Sequence, residues 1–115
     1  MSDDWIPNRE QDLVDLLVFW DEALGNSEKR AAYGWSAPDC GAIVIKIAKF
    51  LEARTEYHNN KTKGNRLDKD AKKAILVAAM RDFANTSIRW NKKIPIQDRL
   101  NLGVGLKDET DTPQG

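Results

Sequence analysis

Apolar side chains recur at steps of three and four residues in three separate parts of the chain, a spacing that predicts amphipathic helices. In the first part, the apolar stripe consists of Leu13, Leu17, Trp20 and Leu24. Acidic residues lie mostly on the other side of the same segment, namely Asp12, Asp15, Asp21 and Glu22. We therefore predict a first helix with one apolar face and one acidic face.

The ends of this first helix are marked by polar residues and glycine. Asn8 is a suitable N-cap, Gln11 follows at the spacing of a capping box, and Ile6 precedes the cap as a hydrophobic staple. Gly25 is one place where the helix can end. Residues 27–33 are also compatible with helix. The sequence leaves open whether the helix stops at the glycine or resumes through this stretch.

A second helix is predicted from a start signal, an apolar stripe and a stop signal. Ser36 is followed three residues later by Asp39, and Pro38 lies in the first turn, where its missing amide proton costs nothing. Residues 43–47 are β-branched enough to suggest a strand, but the spacing and length of the segment favour a helix. The helix should end near Asn59, where turn-forming residues begin. Its stripe consists of Ile43, Ile47, Phe50, Leu51, Arg54 and Tyr57.

A third helix is predicted from about residue 66 to residue 90. Asp68 and Asp70 near its start and Arg89 near its end would complement the helix dipole. Small residues on its apolar face would let a neighbouring helix approach closely. The predicted apolar face consists of Leu67, Ala71, Ala74, Ile75, Ala78, Ala79, Phe83 and Thr86.

A short fourth helix completes the predicted fold. Pro95 opens it and Gly103 ends it. We predict an all-α fold, an antiparallel bundle of three long helices plus this short C-terminal helix. The bundle domain would span residues 1–104, and residues 105–115 would form a flexible tail or linker. In this arrangement one pole collects Tyr33, Trp35 and Trp90, and the other carries Trp5 and the loop 58–66.

Composition narrows the classes of function. Of the 115 residues, 18 are Lys or Arg and 18 are Asp or Glu, so the formal net charge is zero. This balance argues against a protein built mainly to hold nucleic acid or an anionic membrane. Cys40 is the single cysteine, so no disulfide can form within the chain. The first ten residues lack the apolar core of a secretion signal, and we expect a cytoplasmic protein without membrane spans.

Short motifs in the C-terminal third resemble those of a known family. The chain has "RDFANTSIRW", "DRLNLGV" and a closing "DETDTP". These are similar to a family of uncharacterised bacterial proteins with an N-terminal helical bundle, often followed by a β-rich domain. Where members usually have Ser or Thr before the last short helix, this chain has Pro95. The matching residues are Arg81, Phe83, Asn91, Asp98, Arg99, Leu102, Gly103, Thr110, Thr112 and Pro113.

The resemblance implies a fold more than a function, because the family brings no known activity. It also implies that the tail 105–115 is the exit linker of an N-terminal module. Within the family signature, Asp98 and Arg99 admit two interpretations. In the structural one, Asp98 meets the positive end of the last helix, while Arg99 pairs with an acid or binds a backbone carbonyl of a long helix. In the functional one, the pair serves an anionic partner.

The residues offer little support for catalysis or for a metal site. His58 is the only histidine, and it lacks the Glu-x-x-His spacing of bundle metal sites even though Glu52 and Glu56 are one turn apart. Cys40 at a helix start would have a lowered thiol pKa. However, eighteen residues of helix would separate it from His58 by on the order of 25 Å. We therefore predict no catalytic residue, metal or cofactor, and interpret Cys40 as a small buried apolar residue.

The aromatic pole is the candidate partner-binding site. Basic and aromatic residues gather there in the predicted bundle, a combination that binds peptides or single-stranded nucleic acid. In the alternative structural interpretation, the aromatic rings close the end of the bundle and the basic residues keep it soluble. The candidate site residues are Tyr33, Trp35, Trp90, Lys29, Arg30, Lys92 and Lys93.

These observations favour a non-enzymatic structural or protein-interaction module, with a protein partner or a following domain as its ligand. The alternative is a binder of nucleic acid or another anionic ligand through the basic and aromatic pole, which the zero net charge disfavours. A homodimer is a further alternative. Val18 and Phe19 lie off the main apolar stripe, and a second copy would cover them if the fourth helix does not.

Overall fold

The computed structural model describes residues 5–104, and these residues fold into helices joined by short connections. The predicted all-α class is confirmed, and no strand occurs within the described part of the chain. The predicted tail 105–115 lies outside the described residues. The helices are α1 (Glu10–Leu24), α2 (Ser27–Tyr33), α3 (Ala37–Asn59), α4 (Lys63–Phe83), a π-helical segment (Ala84–Ile88) and α5 (Ile96–Leu102).

Helix α1 begins one residue later than its predicted cap. Arg9 is the N-cap residue, and no side chain caps the helix. The predicted capping box of Asn8 and Gln11 is therefore wrong. Gln11 instead donates to Asp15 at 3.1 Å and accepts from Arg54 at 3.1 Å. One of these bonds lies within α1 and the other joins α1 to α3. The Gln11 side chain is therefore not available to bind the backbone at the start of the helix.

The open question at the end of α1 has a clear structural answer. Helix α1 ends at Leu24, and a separate short helix begins two residues beyond Gly25. The Asn26 side chain starts α2 by accepting from the backbone amides of Glu28 and Lys29 at 2.8 and 3.0 Å. Gly34 ends α2 with φ at 72°, a left-handed conformation that glycine adopts without strain.

Helix α3 follows its sequence signals closely. The Ser36 hydroxyl accepts from the Asp39 amide at 3.3 Å, and a proline lies in the first turn. The helix continues through residues 43–47, so the strand alternative is wrong, and it ends at Asn59 as predicted. Ile43, Ile47 and Phe50 are buried along it.

Helix α4 begins earlier than predicted. The Thr62 hydroxyl accepts from the Asn65 amide at 3.0 Å, and the Asn65 side chain donates to the carbonyl of Asn60 at 2.7 Å. The polar stretch after α3 therefore contains the cap of the next helix. As a consequence, Asp68 and Asp70 lie beyond the first turn and do not meet the positive end of the helix dipole.

The apolar face predicted for α4 is largely wrong. Most of the residues expected in the core are exposed, namely Leu67, Ala71, Ala74, Ile75, Ala78 and Thr86. The side chains that α4 buries lie on the opposite side of the helix, and they are Lys69, Leu76, Met80 and Phe83. Phe83 is the one large residue that the prediction placed correctly. The outer side of α4 consequently carries an apolar stripe with no neighbour among the described residues.

A partly buried ionic cluster fixes which side of α4 faces inward. The Lys69 ammonium donates to Glu10 at 2.6 Å, and Arg54 donates to the other oxygen of the same carboxylate at 3.2 Å. These three residues belong to α4, α1 and α3. Burial opposes the charge of Glu10, but the hydrogen bonds from Lys69 and Arg54 outweigh it and lower its pKa. The cluster therefore joins the three longest helices.

After α4 the helix widens into the π-helical segment. The Arg89 amide donates to the Ala84 carbonyl at 2.9 Å, a bond that spans five residues. The Thr86 hydroxyl donates back to the Asp82 carbonyl at 3.0 Å. The Ser87 carbonyl accepts from the Trp35 indole at 3.0 Å. Side chains thus satisfy backbone groups around the widened turn.

Helix α5 closes the fold against α1. The Trp20 indole donates to the Leu102 carbonyl at 2.9 Å, and Gly103 ends the helix with φ at 80°. Trp5 stacks on Trp20 with ring centroids 5.6 Å apart. The prediction that Trp5 lies at the opposite pole is therefore wrong, because the chain before α1 folds back along that helix.

Candidate interaction surface

Tyr33 and Trp35 belong to the interior of the protein. Both are buried, and their rings meet edge to face at 5.0 Å. Trp35 also contacts the Phe83 ring at 5.3 Å, and its indole nitrogen donates to the Ser87 carbonyl at 3.0 Å. The local sequence brings the two rings together, because Gly34 lies between Tyr33 and Trp35 and turns the chain from α2 into α3. The two rings therefore close the end of the core, the arrangement that the structural interpretation expects, and both leave little surface exposed.

A partly buried ionic pair lies beside these rings. Asp98 accepts from the Tyr33 hydroxyl through a short hydrogen bond, and from the Lys29 ammonium at 3.0 Å. The hydrogen bond from Tyr33, followed by Lys29, lowers the pKa of Asp98 despite its burial. Burial and the adjacent carboxylate raise the pKa of Tyr33 to about 12. This contact ties α2 to α5 across 65 residues of sequence.

Arg30 is also used within the fold. Its guanidinium donates to the Leu24 carbonyl at 2.9 Å, which satisfies a backbone group at the end of α1. With Lys29 paired to Asp98, two of the four basic residues in the predicted cluster have structural partners. The structure therefore does not assemble the complete cluster of seven site residues.

Trp90, Lys92 and Lys93 make up the part of the predicted site that faces solvent. The Trp90 side chain is 80% exposed, and both lysines are exposed. Large apolar side chains are also exposed on the following helix, at Ile96 and Leu100. An indole this exposed is unusual for a residue type that normally buries most of its surface.

Arg99 holds the backbone of the loop that carries Trp90. Its guanidinium donates to the carbonyls of Arg89 and Asn91, which flank the tryptophan, and to the carbonyl of Ile94. This agrees with the structural interpretation, in which Arg99 binds backbone carbonyls of a helix end. Three carbonyls bound by one charged group hold the loop in a fixed conformation.

Asn91 adds a second set of restraints. Its side-chain amide donates to the Tyr33 carbonyl at 2.7 Å and to the Ser87 carbonyl at 3.2 Å. Its side-chain oxygen accepts from the Lys93 amide at 3.0 Å. Several residues of the family-like signature thus have structural roles, because Phe83 and Leu102 lie in the core and Asn91, Asp98, Arg99 and Gly103 shape the last turns. The signature residues Thr110, Thr112 and Pro113 lie outside the described residues.

A small cavity lies between the ionic pair and α1. Its volume is about 30 Å³, and its lining includes Phe19, Lys29, Tyr33 and Asp98. A space of this size accommodates about one water molecule, whereas pockets for small-molecule ligands measure roughly 300–1,000 Å³. The cavity therefore offers no room for an organic substrate.

The larger concave surface is a groove that sequence analysis did not predict. It runs between α1 and α3, encloses about 530 Å³ and is open to solvent. Its walls are mostly aliphatic, with Asp21 and Glu22 among the lining residues. The one signal for it in the sequence was the position of Val18 off the main stripe of α1. The aliphatic residues of the groove are Val14, Leu17, Val18, Val44, Ile47, Ala48 and Leu51.

The cysteine and the histidine lie where their sequence positions put them. Cys40 is fully buried in the first turn of α3, and burial raises its thiol pKa, so the lowered pKa predicted from the helix start is wrong. His58 lies in the last turn of the same helix, beside the Tyr57 ring. Among the described residues, no three His, Cys, Asp or Glu side chains group closely enough to hold a metal ion. Cys40 is therefore a buried apolar residue, as predicted.

Comparisons with known proteins add no assignment. No protein family, no curated protein and no solved structure matches this chain. The resemblance to the bacterial family consequently stays a prediction. Across residues 5–104, no helix combines the length and the apolar character needed to cross a lipid bilayer.

Proposed function

We propose that this protein is a non-enzymatic protein-interaction module that docks on a partner through Trp90. In this proposal the three long helices form an antiparallel scaffold, an arrangement supported by the contact of Glu10 at the start of α1 with Arg54 near the end of α3. The scaffold holds the loop, and the loop presents the indole. The single observation that carries the proposal is an 80% exposed tryptophan on a loop fixed by hydrogen bonds at both of its neighbours.

The physical argument concerns the cost of binding. Tryptophan is enriched among the residues that dominate binding energy at protein interfaces. A side chain on a loop that is already fixed loses less conformational freedom on binding than one on a loop that must first be ordered. Arg99 and Asn91 fix this loop before any partner arrives.

The alternative function is binding of nucleic acid or another anionic ligand, supported by the exposed Lys92 and Lys93, two and three residues after the same tryptophan. An exposed tryptophan can stack on a base while nearby ammonium groups contact phosphates. Two lysines in contact with a single strand would give a salt dependence with a slope of about −1.4 in a plot of log affinity against log salt concentration. The salt dependence of binding therefore separates the two functions.

The proposal can be tested by site-specific photo-crosslinking. A photoreactive amino acid replaces Trp90 in one variant and Ile45 in a control variant, since Ile45 is a 57% exposed apolar residue on α3. Each variant is irradiated in a lysate of the source organism, with the purified protein alone as background. We expect a discrete protein adduct from position 90 that persists at high salt, and no such adduct from position 45.

A second measurement uses the partner identified in this way. Trp90→Ala should weaken its affinity about 30-fold or more, the loss typical of a dominant interface residue. Because the side chain is exposed, thermal stability should stay unchanged within about 0.5 kcal/mol. Equal adducts at both positions would contradict the proposal. Nucleic-acid adducts that vanish as salt is raised would favour the alternative.

A further inference from the structure

Two apolar surfaces of the described fold have no neighbour, and they lie on different helices. One is the α1–α3 groove already described, where Val18 is 62% exposed. The other is the outer stripe of α4, where Leu67 and Ile75 are 53% and 56% exposed and Ala71, Ala74 and Ala78 lie between and after them. Apolar surface of this kind on a soluble fold marks a site of association.

The terminal residues outside the described part are unsuited to cover the groove. Residues 1–4 read MSDD and residues 105–115 read GLKDETDTPQG, so they contain one methionine and one leucine among mostly polar and acidic residues. The groove itself is bordered by Asp21 and Glu22. Acidic segments would meet like charge there and would bring little apolar surface.

The two surfaces have opposite charge. Helix α1, which forms one wall of the groove, carries five acidic residues and no basic one. Helix α4, which carries the stripe, has six basic and three acidic residues, and five of the basic residues remain outside the core once Lys69 is paired with Glu10. At 100° of rotation per residue, Lys63 flanks the stripe on one side, and Asp68 with its ion-pair partner Lys72 flanks it on the other. A basic apolar helix is therefore complementary to an acidic apolar groove.

The two surfaces also match in length and shape. The α3 wall of the groove extends from Val44 to Leu51, about 10 Å at 1.5 Å per residue. On the stripe, Leu67 and Ile75 are eight residues apart, about 12 Å by the same measure. The alanines near them allow the backbone of α4 to approach its neighbour closely. Leu67 and Ile75 can therefore enter opposite ends of the groove.

We propose that the protein assembles head to tail with further copies of itself, the outer stripe of α4 in one copy lying in the α1–α3 groove of the next. This contact joins two different surfaces, so it is heterologous and extends into a ring or a chain of copies. A symmetric dimer formed groove to groove would place the acidic residues of α1 against those of its partner. The surfaces differ from the Trp90 loop, so the inference is independent of the proposed function.

The test uses two variants that block one surface each. Ala48→Glu places an acidic side chain in the groove, and Ile75→Glu places one on the stripe. Both positions are exposed, so both variants should fold. Ile96→Glu is the matched control, because Ile96 is 58% exposed on α5 and outside both surfaces. Circular dichroism and thermal unfolding verify the fold of each variant.

Sedimentation velocity up to about 1 mM protein, where even weak contacts are populated, measures assembly. We expect the wild type and Ile96→Glu to form concentration-dependent species larger than a dimer. Each blocked variant alone should be monomeric, with at least about 100-fold weaker association. An equimolar mixture of the two blocked variants should form a 1:1 dimer and nothing larger, because one copy retains an intact stripe and the other an intact groove.

The alternatives give different results. A wild type that stays monomeric over the whole range would overturn the proposal and leave the surfaces to a different protein. Dimers that are lost in Ala48→Glu but kept in Ile75→Glu, so that the mixture contains only dimers of Ile75→Glu with itself, would indicate groove-to-groove association instead. Loss of assembly in Ile96→Glu would place the contact elsewhere. None of these results bears on crosslinking at Trp90, so the two proposals fail separately.

Discussion

Asp98 is a residue whose role depends on partners far away in the sequence. Asp98 lies in the first turn of α5, where the sequence placed it at the positive end of the helix dipole, and the structure also pairs it with Tyr33 and Lys29. The contact could not be inferred from the sequence, because no local signal relates residues 65 positions apart. Its carboxylate is 19% exposed, so water only partly replaces these bonds if they are broken.

Asp98→Asn should therefore lower the free energy of unfolding by about 1–3 kcal/mol at neutral pH. Since the pKa of Asp98 is lowered in the fold, its contribution is present above the unfolded value near 4 and is lost as pH falls through the folded value. Urea unfolding from pH 7 to pH 2.5 measures this. The wild type should lose more stability than the variant below pH 4, while Glu56→Gln, at an exposed position on α3, should follow the wild type.

Tyr33 should lose its stabilising effect at high pH, whereas Asp98 loses its effect at low pH. Its pKa of about 12 lies above the ordinary value of 10, so its stabilising effect is complete below pH 10 and is lost as pH rises from 10 through 12. Ultraviolet titration of the wild type should reveal one tyrosine that ionises near pH 12, and Tyr33→Phe should remove that step. Persistence of the step in the variant would contradict the assignment.

At the scale of helices, capping residues and turn-forming residues predicted the helix ends correctly where no contact from a distant part of the chain competed with them. Ser36, Asn59 and Pro95 lie where the sequence placed the corresponding helix ends. Asn8 failed as a cap although its spacing was equally suitable. The difference is tertiary, because the segment before α1 folds back to bury Ile6 and to stack Trp5.

Paired alanine substitutions test this difference. Ser36→Ala should destabilise the protein by about 1 kcal/mol, because the Asp39 amide loses its partner at the start of α3. Asn8→Ala should change stability by less than about 0.5 kcal/mol, since no cap hydrogen bond is lost. Chemical denaturation of both variants under the same conditions provides the measurement. Equal losses would contradict the assignment of Arg9 as the uncapped start of α1.

The inward side of α4 could not be read from its own sequence. Residues 74–80 are apolar without interruption, so periodicity gives no preferred face there. The structure resolves the choice through Lys69, which reaches Glu10, and through Leu76 and Met80, which are fully buried. For the same reason, neither the outer stripe of α4 nor the α1–α3 groove could be predicted from the sequence. Both depend on which faces the helices turn toward one another.

At the scale of the whole molecule, the cluster of Glu10, Arg54 and Lys69 joins helices that begin far apart in the sequence. Two ion pairs in the protein have the same 2.6 Å separation and differ in burial. Lys69 in the cluster is 10% exposed, whereas Lys72, paired with Asp68 one turn away, is 35% exposed. Comparing the two pairs therefore isolates the effect of burial on what an ion pair contributes to the free energy of unfolding.

Lys69→Met should lower the free energy of unfolding by about 2–4 kcal/mol, because it leaves the Glu10 carboxylate partly buried with Arg54 as its remaining partner. Lys72→Met should change it by less than about 0.5 kcal/mol, the usual value for an exposed pair. Denaturant unfolding at low and high salt measures both. Similar effects for the two variants would show that the cluster does not stabilise the packing of α1, α3 and α4.

Cys40 reports on the integrity of the same core. Its thiol is fully buried and its pKa is raised, so the reactive thiolate is suppressed in two ways. A thiol reagent such as Ellman's reagent should modify the native protein only through opening of the fold. The rate should therefore rise with denaturant and should be higher in Lys69→Met than in the wild type. Rapid modification of the native wild type would contradict the burial of this residue.

The π-helical segment has a consequence for how this protein can vary in length. A helix accommodates substitution at exposed positions such as Asn85, but removal of one residue rotates everything that follows by about 100°. Unless the wide turn tightens into an ordinary α-helical turn and so absorbs the missing residue, such a deletion would carry the Ser87 carbonyl away from the Trp35 indole that it binds. The π-helical segment therefore sets the direction in which the residues after it point. In a natural variant shortened there without such tightening, Trp90 would point in a different direction.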